Sequence, residues 1–555
     1  MNKRYVDELS GRGPYQVDEK AGRPNLFLIS VDMIPLEFYQ RFDDFPDMNT
    51  PNLDAMRQDG VFFSNCFSTS PLCTPSRASY LTGRYSYITT NSERSHDGHE
   101  IHLRDSDLFF PEYLKSAGYS VRHVGKSHVG THKFIDTFGE NDAPWDRWSP
   151  PWYDDEEYLD YLNGFGLQSF DFDEEIVGVD PSGEGAGNHY GGWIARQDGK
   201  EFPLEATYPF FLVDKAIQKL RSAEKGQPLY LQLDFFGPHQ PFAIPHGLEK
   251  RRAELEAQVT APDSFRRLME AGFPPAGQPS QPCQNELGRT SGSDAPEPRI
   301  YGMYRKNWGL RDEETVKKYI IANILHFEMI DMAIGRLFDY LKEQNLYNES
   351  WMMFIGDHGE MNCESGLIDK GAYLNPRVNR VPLIIKPAAS WDGDGQFIGK
   401  GSSVNNQPVS LLDLAPSFLG LAGISHAERQ DGVDLIESVL KGSSRPATPV
   451  LCEIWSHVMP NPAIGMIFQA SNNQTYMFTY NCSDPVDELY LIDHSKYPRN
   501  LFQAPGYKHI VEEAVRSMDA VFAADTRWRS YLNFLRLEYA ELLGVTGGDR
   551  QHFSK

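Results

Sequence analysis

Cysteine is scarce in this chain. The six residues, Cys66, Cys73, Cys283, Cys363, Cys452 and Cys482, form no C-x-x-C pair and no zinc-like spacing, which excludes a thiolate zinc module and a disulfide-built scaffold. Free, mostly buried thiols are expected. Basic charge is also short. The 53 Lys and Arg residues stand against 77 Asp and Glu, a formal net charge of -24, so the surface as a whole repels nucleic acid and anionic membranes. Any pocket for an anion must be local. Long apolar runs are missing too: no uncharged stretch is long enough to cross a bilayer, and the first 25 residues lack the apolar segment of a secretory signal. A soluble, cytoplasmic protein with no membrane and no nucleic-acid partner is expected.

What is present is the composition of a folded globular protein, 40% apolar and 23% charged. Length allows several domains. "NLFLISV" at 25–31 is an apolar run too short for a typical helix and ends at Asp32, which reads as a buried strand. "SDLFFPEYLKSAG" reads as a helix stopped by Gly118, and "YSVRHV" as the next strand. The alternation recurs through "YPFFLVDKAIQKLRSAEKG", "PLYLQLDFF", the long helical stretch ending in "LFDYLKEQNL", and "SWMMFIGDHGE". It predicts an α/β fold with a mostly parallel central sheet flanked by helices. Past "SLLDLAPSFLGLAGI" the pattern changes to "PVLCEIW", "AIGMIFQA" and "TYMFTY", a smaller C-terminal antiparallel sheet, followed by one last helix. The expected division is a catalytic domain over 20–425 and a C-terminal subdomain over 426–555. Residues 256–300, rich in Pro, Gly and Ser, and residues 142–166, dense in aromatics and acids, read as insertions.

In open α/β sheets, ligands bind beyond the carboxyl ends of the strands. Asp32 follows one apolar run, Lys126 and His128 a second, His239 a third, Asp357 and His358 a fourth. Alone, each is an ordinary turn or cap residue; together they describe a site. The carboxylates and His358 suit a divalent cation such as Ca²⁺, Mg²⁺ or Mn²⁺. The lysines, histidines and Arg77 supply positive charge for a tetrahedral oxyanion. In "PLCTPSRASYLTGRY", Pro75 suits the first helical position with Thr74 as N-cap, which sets Cys73 just ahead of a helix N-terminus. A cysteine-dependent phosphatase needs five residues between Cys and Arg. Here there are three, and that motif is excluded.

C-T-P-S-R-A-S-Y-L-T-G-R, residues 73–84, resembles the type I sulfatase signature, in which the cysteine is oxidised after synthesis to formylglycine. "PNLFLISVD", "GKSH", "PHQPF", "GDHGE", "GLIDKG", "RVPLIIKP" and "DELYLIDHSKYPRNLF" resemble further blocks of the family, covering residues 24 to 505. The resemblance implies an alkaline phosphatase-like fold. It also implies that formylglycine from Cys73, made by a formylglycine-generating maturation enzyme, is the nucleophile, with Arg77 and Lys126 holding its diol and a sulfate oxygen. His128 is then the base that releases sulfate, and one of His239 and Lys370 protonates the leaving oxygen. Asp32, Asp357, His358 and the modified Cys73 hold the metal, Ca²⁺ foremost, and the substrate is a sulfated small molecule or saccharide.

The chain departs from the family at Met33, where many sulfatases place a second metal-binding carboxylate. A thioether is a poor ligand for a hard cation, and Glu37 is a candidate replacement. The Asp357-His358 pair and the "GLIDKG" spacing look closest to choline sulfatase and phosphonate monoester hydrolase relatives, which leaves a phosphonate monoester or phosphodiester hydrolase as the alternative activity. His96, His99 and His102 invite a metal reading, but their spacing fits a loop better. Trp145, Trp148, Trp152 and Tyr153 either pack as an insertion or line a pocket for a sugar or a quaternary ammonium. A homo-oligomer is compatible with everything above.

Overall fold

The computed structural model describes residues 15–17, 23–40, 42–86, 103–130, 132–139, 145–196, 200–224, 226–272, 297–391, 402–404, 408–426, 430–436, 448–484, 486–493 and 499–544. Its centre is a sheet of eight strands: β1 (Asn25–Asp32), β2 (Val61–Phe67), β3 (Ser120–Gly125), β4 (Leu229–Pro238), β5 (Ser350–Gly356), β6 (Arg380–Lys386), β7 (Ser402–Val404) and β8 (Val409–Ser410). The order is β7-β2-β6-β5-β1-β4-β3, with β8 also on β2. Only β6 runs against the others. The mostly parallel expectation is therefore met.

The apolar run of β1 is buried on both faces because the sheet separates two cores. Phe27, Ile29 and Val31 enter one, and Leu26 and Leu28 enter the other, as a period of two requires. A helix, α1 (Cys73–Thr82), follows β2. The insertion at 142–166 contributes α2 (Glu156–Gly164), α3 (Arg299–Trp308) follows the second insertion, and the long α4 (Glu313–Glu343) leads into β5. Asp155 caps α2 by accepting the Glu157 and Tyr158 N–H groups, and Asp312 caps α4 through Thr315 N–H. A separate three-stranded sheet is built from Asp171–Val179, Ala186–Ala195 and Phe242–Pro245.

The C-terminal sheet is antiparallel, as expected: β9 (Val450–His457), β10 (Met459–Gln469), β11 (Thr475–Asn481) and β12 (Glu488–Leu491) in sequential order. Ile454, Ile467 and Met477 on one face join the main core. Met466, Phe468 and Phe478 on the other pack on the terminal helices. The last helix expected over 526–544 is preceded by a helix that the sequence reading did not assign, α5 (Lys508–Ala524), and is itself broken into α6 (Arg529–Glu538) and a short Ala540–Leu543. Cys66, Cys73, Cys363, Cys452 and Cys482 are all free thiols. No described helix is long and apolar enough to cross a membrane.

Candidate active site

The carboxyl ends of β1, β3, β4 and β5 meet, and the side chains just past them converge. Asp32 Oδ1 lies 3.5 Å from Cys73 Sγ and 3.4 Å from His358 Nε2, and His358 Nε2 lies 3.2 Å from Cys73 Sγ. With Asp357, these residues each offer one ligand atom, all within 4.8 Å of one another and fully buried. The His358 Nδ1 is bonded to the Gly359 carbonyl at 3.0 Å. A carbonyl only accepts, so Nδ1 carries a proton and Nε2 faces the cluster. Burial opposes a charge on His358, but the Asp357 carboxylate and the Cys73 sulfur outweigh it and raise its pKa to about 9. Two carboxylates, an imidazole nitrogen and one further ligand fit a divalent cation.

Cys73 is the first residue of α1, with Leu72 as N-cap. The helix therefore begins two residues earlier than Thr74 and Pro75 suggest. Pro75 is tolerated within the first turn because N–H groups there have no intrahelical acceptor, and the first turn closes from Ser76 N–H to Leu72 O at 3.0 Å. Gly83, in the left-handed conformation, ends it.

Arg77 is fully buried among acids. Its Nε is 3.0 Å from Asp357 Oδ2, its Nη1 is 3.1 Å from the Lys126 carbonyl and 3.6 Å from Asp234 Oδ1, and its Nη2 is 3.8 Å from Asp32 Oδ2. Burial disfavours this cation, but Tyr80, Asp357, Asp234 and Asp32 together hold its pKa well above the ordinary value. Nη2 has no hydrogen-bond acceptor among the described residues. A buried guanidinium N–H left without a partner fits an anion that is bound in the working state.

Lys126 follows Gly125, whose φ is 102°. A Cβ at that glycine would lie 1.9 Å from the Asp234 carbonyl oxygen, so the close approach of β3 to β4 that delivers Lys126 needs glycine. The Lys126 ammonium pairs with Asp32 and donates to the Trp148 carbonyl at 3.2 Å. His128, also at positive φ, is buried; burial and then the Lys126 charge push its pKa well below the usual value, so it is a neutral base.

His239 anchors its own N–H on the Asp32 carbonyl at 3.1 Å. Its Nδ1 donates to the Gln240 carbonyl and its Nε2 receives the Lys370 ammonium at 2.6 Å. Burial, then Lys370, pushes the His239 pKa down to about 3. Burial opposes the Lys370 charge, yet Asp369, 3.1 Å away, raises its pKa. In this pair the proton therefore resides on Lys370.

The catalytic and metal candidates Asp32, Cys73, Arg77, Lys126, His128, His239, Asp357, His358 and Lys370 are brought together here, and the Glu37 candidate is not. Glu37 bonds Arg377 at 2.5 Å and is not in the cluster that could hold a metal, because a buried arginine needs its carboxylate. Met33 supplies backbone instead: its N–H donates to Asp357 Oδ1 at 3.1 Å. The aromatic insertion divides, with Trp152 buried against Phe170 and Trp148 half-exposed 5.8 Å from the His239 ring. His96, His99 and His102 lie outside the described residues.

Sequence reasoning misses four supports. Asp234 accepts Ser30, His123 and Gln232. Gln240 donates to Asp369 at 2.7 Å. Glu360 accepts the Asp369 N–H at 2.6 Å. His457, from the C-terminal sheet, feels the charges of Lys370, Asp369 and His358. Only Asp234 carries a sequence signal, a charge in the middle of an apolar strand.

Residues 24–424 match the family model described as Sulfatase. The choline-sulfatase of Rhizobium meliloti is 25% identical over 509 residues, 86% of this chain and 83% of that protein. The phosphonate monoester hydrolase of Agrobacterium radiobacter has a TM-score of 0.64 at 16% identity, covering 90% of this chain and 96% of that one. A protein solved with its substrate, D-glucosamine-2-N,6-O-disulfate, has a TM-score of 0.60 at 17% identity, covering 92% and 99%. These structural likenesses establish the alkaline phosphatase-like fold.

Proposed function

We propose that this chain, which belongs to the sulfatase family and is a sulfuric ester hydrolase, cleaves a sulfate monoester with formylglycine made from Cys73 as nucleophile. A divalent cation, Ca²⁺ foremost, is held by Asp32, Cys73, Asp357 and His358. The convergence of those residues beside buried Arg77 and Lys126 is the observation that carries this reading. The sulfur of Cys73 stands where an oxygen of the modified residue would lie.

When bound, the cation supplies Lewis-acid charge to a sulfate oxygen. Hydrated formylglycine supplies a geminal diol, one hydroxyl to attack sulfur and a second through which sulfate is later expelled. Arg77 and Lys126 hold the diol and a sulfate oxygen, opposing the negative charge that builds as attack proceeds. The Lys370–His239 pair delivers a proton to the ester oxygen as its bond to sulfur breaks and the alcohol leaves. Neutral His128 then takes the proton of the remaining hydroxyl. The carbon–oxygen bond to sulfate breaks, sulfate departs with the electron pair, and the aldehyde returns. A serine in place of Cys73 would stop at a stable sulfate ester.

The substrate is a sulfated small molecule or saccharide, in line with the choline-sulfatase relative and the glucosamine disulfate bound by a structural neighbour. A second reading, phosphonate monoester hydrolysis, draws on the fold shared with the Agrobacterium enzyme. Initial rates on an aryl sulfate and an aryl phosphonate monoester, with protein co-expressed with a formylglycine-generating enzyme, separate the two. Higher kcat/KM on the sulfate is expected, and the reverse order moves the chain to the second reading. Cys73→Ala, folded but inactive on both, is the expected control; retained turnover would sink the nucleophile.

A further inference from the structure

Lys370 sits in a segment that is fixed from two directions. On its N-terminal side the fixing groups lie close to the catalytic motifs. Asp369 has a φ of 60°, a left-handed conformation that persists only where the surroundings impose it. Its N–H donates to Glu360 Oε1 at 2.6 Å, its carbonyl accepts the Met361 N–H at 3.0 Å, and its carboxylate accepts Gln240 Nε2 at 2.7 Å.

On the C-terminal side the fixing groups come from two other elements. Ala372, two residues past Lys370, has both backbone polar groups taken by side chains. Its N–H donates to the Tyr304 hydroxyl at 2.8 Å, and its carbonyl accepts Asn461 Nδ2 at 2.7 Å. Tyr304 belongs to α3 and Asn461 to β10, and both are buried. The Tyr304 hydroxyl in turn donates to the His457 carbonyl, so one phenol ties the catalytic segment to the C-terminal hairpin. Its ring packs on the same segment, since a Cβ at Gly371 would lie 2.7 Å from it. Both supports are themselves anchored. Ser483 Oγ donates to Asn461 Oδ1 at 3.3 Å, the Arg299 N–H at the start of α3 donates to Asp484 Oδ2 at 2.9 Å, and the Tyr301 hydroxyl donates to Glu488 Oε1 at 2.8 Å.

A buried backbone N–H or carbonyl that loses its partner is driven to turn toward another. At Ala372 such a turn would carry Lys370 with it. The Lys370 ammonium meets His239 Nε2 at 2.6 Å, and a misplacement of about 1 Å at a reacting contact is enough to cost about a hundredfold in rate.

We propose that Tyr304 and Asn461 are positioning residues for the acid of the leaving oxygen: by gripping Ala372 they hold the Lys370 ammonium against His239. This role rests on the sulfatase reading above, in which that pair protonates the ester oxygen. The grip bears on one step, departure of the alcohol. An alkyl alcohol needs a proton in order to leave, whereas a nitrophenolate does not.

The measurement is kcat and KM of the formylglycine-bearing full chain, Tyr304→Phe and Asn461→Ala on choline sulfate, an alkyl ester, and on 4-nitrophenyl sulfate. Each variant is expected to lower kcat on the alkyl ester about tenfold to a hundredfold, with kcat on the nitrophenyl ester within about threefold and KM within a few-fold on both. Should Tyr304→Phe fail to fold, Asn461→Ala reads the same grip from the other side of Ala372. A readout without turnover is the crystal structure of either variant, in which Lys370 Nζ is expected out of hydrogen-bonding distance of His239 Nε2. Equal losses on the two esters, no loss on the alkyl ester, or an unchanged Lys370–His239 contact in the variant crystals would overturn the inference and leave the sulfatase reading intact. No turnover of either sulfate by the unmutated chain would remove that reading, and the positioning role with it.

Discussion

At the residue scale, the proposed chemistry depends on groups that stand behind the residues assigned to the substrate. Asp234 is fully buried inside β4 and holds Arg77 Nη1 at 3.6 Å. Burial disfavours its charge, but hydrogen bonding from His123 and the Arg77 charge outweigh burial and keep its pKa below the ordinary carboxylate value. Removing one partner of a buried charge network strands the other. Asp234→Asn is thus expected to lower kcat at least tenfold with KM within a few-fold, and to shift the urea midpoint by the equivalent of about 1–3 kcal/mol. An unchanged kcat would detach Asp234 from the support of Arg77. The residues proposed to reach the substrate are legible in sequence because each follows a strand within a dense local motif, as in "PSRASYLTGR" or "GDHGE". Gln240 and His457 are not, because what they hold lies far along the chain: Asp369 is 129 residues from Gln240. Glu37 is misread for the same reason, since its partner Arg377 is 340 residues away.

At the scale of elements, α4 sets the loop that carries His239. A Cβ at Gly237 would come within 2.6 Å of the His326 ring, so this histidine lies directly beneath the turn out of β4. Burial alone pushes the His326 pKa down to about 4, against 6.5 in an open chain. The unfolded chain therefore takes up a proton between pH 6.5 and 4 that the folded chain refuses, and the folded state loses stability as pH falls through that window, by up to about 1.4 kcal/mol per pH unit. His326→Leu abolishes this dependence. The difference in denaturant midpoint between wild type and His326→Leu is expected to move in favour of the variant as pH drops from 6.5 to 4, and a pH-independent difference would refute the assignment. Strands and long helices are the elements that sequence reveals most clearly, because β1 and α4 have unmistakable periods. Boundaries set by capping are harder: α1 begins at Cys73 rather than at Pro75, since Leu72 provides the backbone cap and no side-chain cap marks the start.

At the scale of the whole molecule, one sheet gathers side chains from residues 32 to 370 around a point that the C-terminal hairpin then reaches. A cation binding the folded chain alone stabilises it by mass action. Exhaustive chelation is expected to abolish sulfate hydrolysis and lower Tm, with both restored by added Ca²⁺. A full rate after metal removal would take the cation out of the mechanism.

Cys73 has no solvent exposure at all. The maturation enzyme of the proposed mechanism would have to grip the segment around that thiol, and in the folded chain the thiol sits at the first residue of α1, buried with Asp32, Asp357 and His358. Under the proposed mechanism, oxidation to formylglycine would therefore precede collapse of the sheet. On that reading the activity is fixed by an order in time: a chain that folds before it is modified would be sealed with its thiol out of reach.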